Sequence, residues 1–122
     1  MAVLEIARMG QPVLRRRAEA VSLPLGAEMR RFLDDMAETM AAAHGTGLAA
    51  PQVCQPLRAI VFKVDGERQR RSVAQLDDLP APETAADGVA LTYLLNPEIE
   101  PLGDALDEGY EACLSIPGLT GR

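Results

Sequence analysis

Between residues 26 and 43, Met29, Phe32, Leu33, Met36 and Met40 follow the i, i+3, i+4, i+7, i+11 spacing of one helical face, with Arg30, Arg31, Asp34, Asp35 and Glu38 on the other. This pattern predicts an amphipathic helix whose methionines fill a core. Gly45 is placed to stop it as a left-handed cap. Over residues 58–64 the period changes to two, with Ile60, Phe62 and Val64 alternating with Val61 and Lys63, which predicts a strand. Asp65-Gly66 signals a turn, and residues 67–88, acidic and carrying Pro80 and Pro82, are expected to form a long surface loop. Residues 89–95 are apolar enough for a buried strand. Asn96-Pro97 breaks it, residues 98–102 are expected to form a further strand, and Gly103-Asp104 turns the chain again. Residues 108–122 contain Gly109, Pro117, Gly118 and Gly121 and should be extended and loop-rich. A long helix in the N-terminal half followed by strands predicts an α+β fold, the helix packed on a mixed or antiparallel β-sheet.

Composition narrows the class. A chain of 122 residues, 48% hydrophobic and 25% charged, is expected to be a single globular domain, neither disordered nor membranous. The net charge of −6 hides a split: residues 1–71 carry +3 and residues 72–122 carry −9. Arg15, Arg16 and Arg17 and the cluster Arg68, Arg70, Arg71 are short, and aromatics make up only 3%, so a nucleic-acid surface is not expected. The acidic second half argues against an anionic membrane. Met1-Ala2-Val3-Leu4 runs straight into Glu5, with no apolar segment of signal or transmembrane length, and the expected location is the cytoplasm. In that reducing compartment Cys54 and Cys113 are expected to be unpaired.

Two segments have compositions that suggest chemistry. In residues 45–52 (Gly-Thr-Gly-Leu-Ala-Ala-Pro-Gln) the glycines admit close approach of a ligand backbone, the alanines allow flat packing, and Gln52 offers an amide to a developing oxyanion. A helix-to-strand connection in which glycine serves only geometry fits these residues as well. In residues 111–118 (Glu-Ala-Cys-Leu-Ser-Ile-Pro-Gly), Cys113 fits a buried thiol, a nucleophile or a soft metal ligand. A nucleophile needs a base, and the single histidine, His44, ends the predicted helix, where interaction with the helix dipole is its ordinary role.

Taken together, Gly-Thr-Gly-Leu-Ala-Ala-Pro-Gln and, some sixty positions later, Glu-Ala-Cys-Leu-Ser resemble the first two motifs of the bacterial peptide deformylases, GxGLAAxQ and EGCLS. The resemblance implies a hydrolase that removes the formyl group from the N-terminal formyl-methionine of nascent chains and releases formate. It implies a divalent metal, Fe(II) with nickel, zinc or cobalt as substitutes, held by Cys113 together with two histidines of a later HExxH helix that also carries a catalytic glutamate. Gln52 and the Leu114 N–H would stabilise the oxyanion, and Gly45, Thr46, Gly47, Glu111 and Ala112 would face the substrate. Position 112 has Ala where the motif commonly has Gly, which is compatible with a negative φ.

No HExxH occurs in the 122 residues. The expected reading is therefore an incomplete deformylase domain that lacks the metal-binding helix, has lost two ligands and the glutamate, and is inactive and without bound metal on its own. Formylated nascent peptides and proximity to the ribosome are the expected partners, with self-association through the surface left by the missing helix. The alternative is a non-catalytic deformylase-like protein that binds peptide N-termini or a partner.

Overall fold

A computed structural model describes residues 2–66 and 88–121. The predicted helix is α1, Ala27–Ala42, and its apolar face behaves as its spacing requires: Leu33, Met36 and Met40 are buried, with Met29 and Phe32 packed beside them. Thr39 is buried on the same face. Its hydroxyl donates to the Asp35 carbonyl at 2.7 Å and accepts the Leu4 N–H at 2.8 Å, so the polar group is satisfied by the N-terminal segment.

The helix ends in a Schellman motif, in which the Gly45 N–H reaches the Met40 carbonyl at 2.9 Å and the His44 N–H reaches that of Ala41 at 3.1 Å. The left-handed residue is His44, with φ 57°, rather than Gly45. Gly45 serves a different purpose: a Cβ there would stand 2.7 Å from Leu114 Cδ1. Glycine is needed at that point for close approach, and the histidine takes up the unusual dihedral.

After the helix come β1 (Gly47–Ala49), a 3-10 turn (Ala50–Val53), β2 (Ala59–Val64) and β3 (Val89–Leu95). They form an antiparallel sheet in the order β1-β2-β3, with Leu48 opposite Val61 and Val61 opposite Tyr93. Ala59 and Val61 alternate onto the face that meets Val21, Leu33, Met36, Met40 and Leu48. This is the α+β arrangement of one long helix on a sheet, and the named sheet is antiparallel throughout. A short hairpin of β4 (Glu111–Ala112) and β5 (Thr120–Gly121) encloses the turn that carries Cys113.

Two expectations are corrected. Residues 98–102 form no strand; Ile99 and Leu102 are exposed and have no partner strand among the described residues, so their apolar character never meets a pleated surface. Strand β3 forms where expected but is not buried: among the described residues it is an edge strand, and Val89, Leu91 and Leu94 are exposed. The loop expected over residues 67–88 lies, apart from Gly88, outside the described residues.

Candidate active site

The Ala50–Val53 turn decides where Gln52 points. Gln52 is its third residue, and its Oε1 accepts the N–H of Ala49, the residue before the turn, at 3.0 Å, as a glutamine does in a capping box. An amide N–H can be accepted only by the oxygen end, so the NH2 end faces the other way. It donates to Ser115 Oγ at 3.2 Å and lies 3.5 Å from Cys113 Sγ. The two motif segments, sixty-one positions apart between Gln52 and Cys113, therefore meet through side chains.

Cys113 leaves the hairpin at the start of a tight turn closed by the Ile116 N–H on the Cys113 carbonyl at 3.0 Å. Its side chain is exposed and unpaired, as is that of Cys54. The next amide, that of Leu114, donates to no acceptor among the described residues. Ala112 has no left-handed φ and pairs with Thr120, so alanine fits this position without strain.

These residues line a cleft of about 880 Å³ whose walls include Gly45, Thr46, Gly47, Gln52, Ala112, Cys113 and Leu114. Of the residues singled out from sequence, Glu111 is the one outside it, in a separate hollow with Asp107, Glu108, Gly109 and Gly121. His44 and Pro117 also border the cleft, as do Tyr110, Leu119 and Thr120, which lie outside the two segments that the sequence marked. Gln52, Cys113 and Ile116 form a wall shared with a smaller cavity of about 290 Å³, bordered by Met9, Gly10, Gln11, Leu14, Arg15 and Ser115. An N-terminal segment ties the site together from behind: the Ala7 N–H binds the Gln52 carbonyl at 2.6 Å, and the Met9 N–H binds that of Ser115 at 2.8 Å. Backbone donors carry no sequence signature, and reading by residue type missed this strap.

Among the described residues no group of three His, Cys, Asp or Glu side chains stands close enough to hold a metal ion. Cys113 is a single soft donor, and a closed or catalytic site needs at least three protein ligands. The described residues do not by themselves fit the ion. No helix among them is long and apolar enough to cross a membrane.

Comparison with known proteins places this geometry. The sequence profile of the polypeptide deformylase family matches residues 3–122. Peptide deformylase 1 of Bordetella pertussis is 45% identical over 116 residues, covering 95% of this chain and 58% of its own length. Peptide deformylase 1 of Prochlorococcus marinus is 38% identical over 122 residues, covering all of this chain and 57% of its own. A class I type b peptide deformylase structure from Acinetobacter baumannii superposes with a TM-score of 0.76 at 28% identity, over 99% of this chain and 68% of that one. The Thermotoga maritima peptide deformylase gives 0.73 at 28% identity, over 98% and 65%. The chain thus spans less than two thirds of these curated relatives' length. With a profile match over nearly all of its residues and a relative at 45% identity, the chain belongs to the polypeptide deformylase family.

Proposed function

We propose that these residues form the substrate-facing part of a peptide deformylase, a hydrolase that removes the formyl group from the N-terminal methionine of nascent chains and releases formate. The observation that carries this reading is that Gln52, whose NH2 group faces Cys113, lines one cleft together with Cys113 and with Leu114, whose N–H meets no acceptor among the described residues. Two N–H donors on one cleft would suit the oxygen of a formyl carbonyl as it gains charge, and removing one such donor costs ~10² to 10³ in rate. Among the described residues strand β1 is the outer strand of its sheet, so its outer edge at exposed Gly47 can pair with an extended peptide, and a glycine there admits the peptide backbone closely. Hydrolysis breaks the formyl C–N bond, leaves the hydroxyl of water on the formyl carbon and delivers a proton to the new amine.

Cys113 is the one ligand these residues bring to the divalent metal of the family, for which Fe(II) is our reading, with nickel, zinc or cobalt as substitutes. The remaining donors and the proton carrier are assigned to an HExxH segment outside these 122 residues, making the stretch most of a domain. On this reading the protein works in the cytoplasm, beside the ribosome that supplies its formylated substrate.

The test is formate release from a formyl-Met-Ala peptide by protein expressed from the whole reading frame, with metal content measured on the same sample. Turnover that is lost in Cys113→Ala together with the metal supports the reading. Full turnover in that variant overturns it. The lack of a three-donor cluster among the described residues favours a second reading, a non-catalytic member that binds peptide N-termini. Saturable binding of formyl-Met-Ala with no formate released from metal-supplemented protein would establish that reading instead.

A further inference from the structure

We infer that Ser115 is a positioning residue for Gln52: its buried hydroxyl holds one N–H of the Gln52 amide so that the other stays aimed into the cleft. The catalytic consequence rests on the deformylase reading above, whereas the hydrogen bond stands without it.

An amide side chain is planar and offers three polar corners, one oxygen and two N–H groups. In Gln52 the oxygen is held by the Ala49 N–H at 3.0 Å. Of the acceptors near the nitrogen, Ser115 Oγ lies at 3.2 Å and Cys113 Sγ at 3.5 Å. A hydroxyl oxygen is the stronger acceptor, and sulfur gives up a donor easily. Two corners are therefore fixed by protein, and the third, beside the thiol, is the one a substrate oxygen can claim.

Ser115 is suited to this task by its surroundings. It is 4% exposed, so water has little access to replace its oxygen. Its own backbone is held by the Met9 N–H at 2.8 Å, and the Gln52 backbone is held by the Ala7 N–H at 2.6 Å. Residues 7 and 9 thus set the distance between the two segments that the Gln52–Ser115 bond spans. Without the hydroxyl, the glutamine retains its oxygen-side contact and only the weak sulfur acceptor of Cys113 on the other side, and the NH2 end can turn more freely about the last side-chain torsion, which has a broad, roughly two-fold preference. A serine that merely satisfied its own burial would leave the amide where it is.

The experiment uses protein from the whole reading frame, with the Gln52 side-chain NH2 signals in a ¹⁵N–¹H spectrum assigned by their disappearance in Gln52→Met. In Ser115→Ala these signals should move toward those of a solvent-exposed glutamine and exchange faster with water, with the backbone amide pattern retained. Ser115→Thr, which keeps the hydroxyl, should restore them. On a formyl-Met-Ala peptide, kcat of Ser115→Ala should fall about tenfold with KM within about twofold, a smaller loss than deleting the donor itself. Unchanged Gln52 signals in Ser115→Ala overturn the proposal, as does an unchanged kcat once those signals have moved. If Gln52→Met turns over as fast as the unaltered protein, the assignment of Gln52 within the deformylase reading fails, and the spectrum still decides the hydrogen bond.

Discussion

A Cβ on residue 45 would stand 2.7 Å from Leu114 Cδ1 and 3.5 Å from Met40 Cγ, so the Leu114 side chain of the Cys113 turn packs into the space that a side chain there would take. Gly45→Ala must push the flexible Leu114 side chain aside. We expect it to lower stability by about 1 kcal/mol, the mild end of overpacking, and, under the proposed function, in which the Leu114 N–H is one of the two donors to the formyl oxygen, to reduce turnover disproportionately. Thermal unfolding compared with kcat checks this, and equal small effects on both would contradict it. Cys54 presents the opposite case. It is exposed with φ 64°, a conformation that costs a residue with a Cβ roughly 1–2 kcal/mol. Cys54→Gly should raise the denaturation midpoint, offset in part by the greater chain entropy of glycine.

At the scale of elements, α1 was legible because its burial follows a 3.6-residue period. Met36, with no exposed surface, sits at the middle of the buried face, and Met36→Ala should cost ~2–5 kcal/mol by opening a cavity, measured by denaturant unfolding. The contact between α1 and β3 adds a pH dependence. The Tyr93 hydroxyl donates to Asp34 Oδ1 at 3.2 Å, and its pKa is raised from the ordinary 10.0, first by burial, then by that hydrogen bond and the carboxylate's charge. A raised value means that the folded state holds the proton more tightly than the unfolded one. This contribution is complete below about pH 10.0 and is lost as pH rises through the folded-state value. The unaltered protein should therefore lose stability above that pH more steeply than Tyr93→Phe, and parallel curves would show that the contact has no energetic role. Strand β3 shows the limit of pattern reading: its composition marks a strand, but whether a strand is buried depends on what covers it. Residues 98–102 fail for a related reason, since apolar residues form a strand only where a neighbouring strand accepts their backbone groups.

For the molecule as a whole, apolar side chains gather on the surface of the second half: Ile99, Leu102 and Leu106 are more than nine-tenths exposed, and Leu91, Leu94 and Leu119 are also exposed. The relatives it matches extend well past the aligned part. We expect a polypeptide of these 122 residues alone to self-associate through such surface, to bind no stoichiometric metal and to release no formate. Sedimentation velocity over a concentration series, with metal analysis of the same sample, checks all three. A monodisperse monomer with one metal per chain and turnover would contradict them.

The amino-acid order alone determined the helix and its buried face, the strands at residues 59–64 and 89–95, and the two motifs that mark the family, because each depends on local periodicity or on residue identities in a short run. Tertiary structure alone decided that Gln52 turns its NH2 end to Cys113 and Ser115, that Glu111 lies outside the cleft, that His44 rather than Gly45 takes the left-handed dihedral, and that residues 7 and 9 brace both motifs. These depend on backbone donors and on contacts between positions far apart in the chain. Only the folded arrangement of α1, the sheet and the hairpin brings those groups within hydrogen-bonding distance.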